Sequence, residues 1–218
     1  MLVAILTFSA GGLMLLGYLL YIHGSLRKEI EPNPTTWLMF SYGTVLLTVL
    51  ELDRGAGWEL SVVPITCSLL GVIVALLCAR RGKMRWPKDW EDQASFGTDI
   101  ALTIGYLTAW YLLIAGYLSA DERGMWNLLF LVLSNATTIT AFTPILRATK
   151  SDPSNERSLP WFVWAFSYAS LGILTYLQNG LWTELLIYPV MNTVLHMTVG
   201  ILALPKRRER KLSEAASN

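Results

Sequence analysis

Glu184, Tyr188, Asn192 and His196 follow one another at steps of four near the C-terminal end of the chain. Four residues advance an α-helix by about 400°, so these side chains drift slowly around one face. A carboxylate, a phenol, an amide and an imidazole on one apolar helix can make a binding surface for a polar solute. His196 could also move a proton, its ordinary pKa being about 6.5. The plainer reading is a neutral histidine satisfied by one neighbour. Asn192 falls near mid-depth of its segment, where a polar group faces protein or water rather than lipid. It is either a solute contact or a bond to a neighbouring helix. Pro189 sits in the same stretch, removes a backbone donor and invites a bend.

Other apolar stretches carry polar stripes. One has Trp37, Ser41, Thr44, Thr48 and Glu51, with Tyr42 beside them. Another has Trp161, Trp164, Tyr168 and Thr175. A third has Ser134, Asn135, Thr137 and Thr138, and a fourth has Asp99, Thr103, Tyr106 and Trp110. Trp164 lies about one turn inside its segment and suits stacking on a solute. Trp37, Trp161, Trp58 and Trp182 are read as an interfacial aromatic belt. Asp99 is placed close to the cytoplasmic end of its helix, in reach of water. His196 and Asp99 are the candidates for proton coupling, with facilitated diffusion as the default.

The elements that must position these groups follow from composition. The chain has 218 residues, 53% hydrophobic and only 15% charged, with a mean hydropathy of +0.44. Seven apolar blocks appear, at 2–22, 36–52, 60–79, 97–118, 125–146, 160–177 and 181–204, and about 20 residues span a bilayer as a helix. The first block has no basic segment ahead of it and is read as a helix rather than a leader. Fifteen Lys and Arg fall on one side of this layout and only Arg54 and Arg123 on the other. The positive-inside rule then puts the N-terminus outside and the C-terminus in the cytoplasm, as in a bacterial inner membrane. The tail residues Lys206, Arg207, Arg208, Arg210 and Lys211 read as an anchor at anionic lipid, not as a nucleic-acid arm. Cys67 and Cys78 fall on one helix, about 16 Å apart at 1.5 Å per residue, and cannot bridge within it.

The chain also reads as two copies of one unit. Trp37 and Trp161, and Trp58 and Trp182, are 124 residues apart; after one inserted residue Glu59 pairs with Glu184, Pro64 with Pro189 and Cys67 with Asn192. The expected fold is all-α: seven transmembrane helices, as two parallel three-helix repeats joined by a linker helix. Residues 1–81 are the first repeat, 82–118 a cytoplasmic loop and the linker, 119–205 the second repeat, and 206–218 a basic tail. Residues 82–95, with Trp86 and Trp90, read as interfacial loop. In lipid, such a repeat places a binding site between its copies.

This layout resembles the SWEET and PQ-loop transporters. Thr143-Pro-Ile-Leu-Arg147, followed by a polar stretch to Ser158-Leu-Pro-Trp161, is similar to that family's PQ-loop segment, with Ile145 in place of Gln. Pro32-Asn-Pro-Thr-Thr-Trp37 and Tyr188-Pro-Val-Met-Asn192 resemble segments of uncharacterised bacterial members. Trp161-Phe-Val-Trp164 is also similar to a motif of the PnuC-type nicotinamide riboside transporters. The resemblance implies a solute held by paired mid-helix residues, here Cys67 and Asn192, and gating or cavity lining by bulky side chains. It implies hinges at helix prolines, here Pro64, Pro144 and Pro189.

The expected site therefore comprises Asn192, Cys67, Trp164, Tyr42, Tyr168, Asn135, Thr138 and His196. Few fixed charges are expected in the core, which suits an uncharged or zwitterionic solute such as a sugar, nucleoside or vitamin. No catalytic or metal-ligand spacing stands out, so no enzyme activity, metal or cofactor is expected. The partners are the lipid bilayer and the solute, and a homo-oligomer is compatible with the layout. The alternative is a non-transporting seven-helix receptor or assembly protein resembling the KDEL receptor.

Overall fold

The computed structural model describes residues 1–82 and 86–204, and the basic tail from 206 onward lies outside them. Among the described residues the chain is helical, with no strand. The helices are α1 (Leu2–Leu26), α2 (Pro34–Asp53), α3 (Trp58–Arg80), α4 (Trp90–Ile114), α5 (Ala120–Ala141), α6 (Thr143–Ser151), α7 (Ser158–Asn179) and α8 (Ile187–Leu202). Single 3-10 turns at Pro153–Asn155 and Glu184–Leu186 precede the last two helices.

Local chemistry sets several boundaries. The Thr36 N–H donates to the Asn33 side chain at 3.1 Å, and Pro34 occupies the first turn of α2, where its missing N–H is not needed. Ser119 and Glu122 form a reciprocal capping box that starts α5. Gly180, at φ +79°, closes α7 in a conformation that favours glycine.

Three boundaries differ from the sequence reading. Trp90 through Ser95 form the first turns of α4 rather than an interfacial loop, because Asp89 stands extended at the helix start with Glu91 and Asp92 in the first turn. The fifth block is broken at Phe142, next to Pro144 in the first turn of α6. The last helix begins at Ile187, not 181. Pro189 therefore sits in the first turn of α8, where a proline breaks no mid-helix bond, and the expected bend at mid-segment is corrected. Pro64 does lie inside its helix, α3.

Six segments are long and apolar enough to cross a membrane: α1, α2, α3, α4, the α5–α6 run and Glu184–Leu202. They fit an integral multi-pass membrane protein. α7, the remaining long helix of the expected seven, is present but is less apolar than these six. Its Trp161, Trp164, Ser167, Tyr168 and Thr175 lower its hydropathy, and all five are buried. α7 can be polar because it packs against α1 and α8, which cover that face.

α3 packs on both α1 and α2, and α8 packs on α7 and α5; α2 also meets α5, and α4 lies mainly on α5. Leu16, Leu19, Leu69, Leu76, Ile104, Leu107, Ile173 and Val194 point outward, while Ser, Thr and Asn side chains are buried. In lipid, close packing and interhelical hydrogen bonds hold such a bundle, at about 0.6 kcal/mol per bond. Examples are Ser167 Oγ to Ala10 O (2.7 Å), Thr48 with Ser68 (2.9 Å) and Tyr42 Oη to Thr103 Oγ1 (2.7 Å). The closest approach is at Gly17, where an added Cβ would lie 2.5 Å from the Trp164 indole nitrogen.

Candidate functional site

The aromatic residues of α1, α2 and α7 meet at the bundle centre. Trp37, Trp161 and Trp164 are at most 1% exposed. Trp161 and Trp164 lie 5.1 Å apart edge to face, and Tyr21 reaches Trp37 (5.0 Å) and Trp164 (5.4 Å). Reading Trp37 and Trp161 as an interfacial belt is thus corrected. Each is the fourth residue of its helix and is buried among the rings of the bundle centre rather than exposed. Trp58 and Trp182 are exposed.

These rings wall a central cavity of about 20 Å³, room for about one water. α1 supplies Met14 and Tyr18, α2 supplies Trp37, Phe40 and Thr44, and α3 supplies Cys67. Thr138 of α5, the connecting Phe142, Trp161, Trp164 and Tyr168 of α7, and Asn192 and His196 of α8 complete the lining.

Of the residues singled out from the sequence, Asn192, Cys67, Trp164, Tyr168, Thr138 and His196 line this cavity. Tyr42 does not: its hydroxyl bonds Thr103 of α4, and the side chain lines a lipid-facing groove between α2 and α4. Asn135 does not either. It is buried, and its amide donates to Leu131 O within α5. The step between Asn135 and Thr138 turns about 300° on the helix, which separates them. Glu184 leaves the α8 stripe, since it sits on the preceding 3-10 turn and pairs with Arg54. Asp99 is 2% exposed, nine residues into α4, and accepts the Thr137 hydroxyl; it faces α5 and α2 rather than the helix end or the cavity.

A different polar device stands toward each end of the bundle. At the end carrying the 27–33 and 152–157 loops, Tyr21 Oη–H donates to Glu156 Oε1 and Trp161 Nε1–H donates to Glu156 Oε2, both at 2.9 Å. Trp37 Nε1–H in turn donates to Tyr21 Oη at 3.1 Å. One carboxylate thus joins α1, α2 and α7. Glu156 is 3% exposed, and burial pushes its pKa up to about 8 although the two donors pull it down. The adjoining loops are joined by Glu31 N–H to Asn155 O (2.8 Å) and by an Arg157–Glu29 ion pair.

Toward the other end, Tyr18 Oη lies 3.1 Å from Cys67 Sγ, Tyr168 Oη donates to the same sulfur at 3.5 Å, and Tyr168 and Tyr188 hydroxyls meet at 3.1 Å. Beyond Tyr188 stands Glu51, 5% exposed and within electrostatic range of it. Arg54 binds Glu184 and the Gly124 carbonyl, while Asp53 takes Arg123 and Asn127.

No Asp, Glu, Lys or Arg lines the cavity, while Glu51, Asp92, Asp99 and Glu156 are buried elsewhere in the bundle. Glu156 was missed because it lies in a polar loop that reads as solvated. Its sequence signal is the tryptophan five residues later. Phe40, Phe142, Met14 and Tyr18 were missed because apolar and aromatic residues in a membrane helix carry no mark of the face they take. The pairing of Trp37 with Trp161 across 124 residues was the available sign for those two.

No family model, curated protein or solved structure matches this chain.

Proposed function

We propose that the chain is a membrane transporter that moves a small polar solute, uncharged or zwitterionic, through the central cavity by alternating access. In this reading α1, α2 and α3 form one repeat, α5–α6, α7 and α8 the other, and α4 links them in a SWEET-like arrangement. The loops 27–33 and 152–157 face the cytoplasm.

The observation that carries the reading is the central cavity, lined by helices of both halves, with a different polar device toward each end of the bundle. A packed core has no need of such devices at both ends; an occluded state of a transporter does. Exchanging α1, α2 and α3 for α5, α7 and α8 supports the repeat. It carries the α1–α7 packing onto α5–α2, α1–α3 onto α5–α8, and α2–α3 onto α7–α8, and all six pairings occur. The small present volume fits a closed state that must widen to take a solute.

The test is solute flux into proteoliposomes, followed by light scattering with sugars, nucleosides and amino acids. Flux of at least one solute above empty vesicles, lost in Asn192→Ala and Trp164→Ala, is the expected result. Equal permeability of protein-containing and empty vesicles to the whole panel would sink the reading and favour a receptor.

A further inference from the structure

The hydrogen bonds around the cavity are unequally used. Its donors point away from the space. Thr44 Oγ1–H donates to Phe40 O (2.6 Å), Thr138 Oγ1–H to Ser134 O (3.0 Å) and Asn192 Nδ2 to Tyr188 O (3.0 Å). Trp37 and Trp161 spend their indole N–H groups on the Glu156 network, and Trp164 donates to Met14 O at 3.3 Å. His196 Nδ1 meets the Asn192 carbonyl at 2.8 Å. A carbonyl only accepts, so the neutral ring carries its proton on Nδ1 and keeps a lone pair on Nε2. What remains for a solute are mainly acceptors, namely His196 Nε2, Asn192 Oδ1 and the lone pairs of two threonine hydroxyls, beside the second N–H of the Asn192 amide. The rest of the wall is largely aromatic, and ring faces attract cations.

No buried cation competes for the site: among the described residues no Lys or Arg is buried, and the nearest buried acids, Glu51 and Glu156, lie beyond the two ends of the cavity. The Glu51 carboxyl makes no hydrogen bond among the described residues, although its backbone carbonyl accepts from the Ala56 N–H. A sugar both donates and accepts, and would find few free donors here. An anion would find none that is charged.

We propose that the cavity receives an ammonium group: the solute shares its three N–H donors among the acceptors of His196, Asn192, Thr44 and Thr138 and lays its charge against the rings of Trp164 and Tyr168. The inference rests on the transporter reading for its site and narrows the solute to one that bears an ammonium, alone or in a zwitterion.

The test compares ethanolammonium with ethylene glycol, which has the same heavy-atom skeleton and no charge, on the full-length protein in detergent. Sodium chloride at equal concentration controls for ionic strength, and glucose stands for an uncharged polar solute. At several times Kd the ammonium is expected to raise Tm by about 2–4 °C, with no rise from the other three. Thr138→Val, a near-isosteric change that removes one acceptor, is expected to weaken ammonium binding about five- to tenfold. An equal rise with ethylene glycol, glucose or salt, or no ammonium-specific rise, overturns the inference. Counterflow of radiolabelled ethanolammonium in proteoliposomes separates it from the reading it rests on. Binding without flux would sink the transporter and leave the ammonium site, while glucose flux without ammonium binding would do the reverse.

Discussion

The two ends of the bundle are closed by different physics. At the end of the 27–33 and 152–157 loops, one buried carboxylate gathers Tyr21 and Trp161 directly and Trp37 through Tyr21. At the other end, Arg54–Glu184 and Arg123–Asp53 are ion pairs whose side chains keep between 10% and 28% of their exposure. The first closure excludes water and titrates near neutral pH. The second stays in touch with solvent, where salt screens it. One molecule can thus respond to acid at one end and to ionic strength at the other.

The comparison predicts its largest effect in pH. The folded-state pKa of Glu156 is raised from 4.5 to about 8. Its contribution to stability is therefore fully present below pH 4.5, falls as pH rises between the two values, and stays lost above about 8. At about 1.4 kcal/mol per unit the span is at most about 5 kcal/mol. Glu156→Gln is expected to flatten that part of the Tm–pH profile in detergent. An unchanged slope would show that Glu156 is not the titrating group.

Trp161→Ala removes the ring that stacks on Trp164 and donates to Glu156, and is expected to cost about 3–5 kcal/mol. Trp182, from the other tryptophan pair at the 124-residue spacing, is 95% exposed, so Trp182→Ala is expected to change stability by about 0.5 kcal/mol or less. Thermal unfolding of both variants in detergent checks the contrast, and similar losses would break it.

Gly17→Ala tests the ring pack between the ends. The new Cβ meets a rigid indole at 2.5 Å, so overpacking of about 1–3 kcal/mol is expected. The same change at Gly12, where nothing lies within 4 Å, is expected to be neutral or slightly stabilising. Smallest is Arg54→Gln, expected to cost about 1 kcal/mol or less. That loss shrinks as salt is raised, whereas the loss in Trp161→Ala does not; melting curves at low and high salt separate the two.

Much of the architecture was legible without coordinates. Long apolar runs force helices in lipid, because every backbone N–H and C=O must be satisfied within its own segment. The start of α5 after Ser119 was not among the legible ends, since the apolar run begins only at 125 while the capping box begins the helix at Ala120. The α5–α6 break and the start of α8 at Ile187 were not legible. Both depend on how a proline and its neighbours settle against other helices. Six of the eight expected cavity residues line the cavity because polar groups within an apolar helix have few places to go.

What the sequence determined by itself is therefore which segments are helical, that most of them are apolar enough to cross a membrane and which helices carry polar stripes. Hydrogen-bond satisfaction and transfer from water to lipid act on each segment alone. What only the tertiary structure decided is which neighbour each stripe meets. Tyr42 turned to α4, Asp99 to α5 and Trp37 to the centre, since helix rotation is set by side-chain packing between segments far apart in the chain. Glu156 shows this most plainly. Its burial comes from Tyr21 and Trp37, more than a hundred residues away, and no local pattern around it records them.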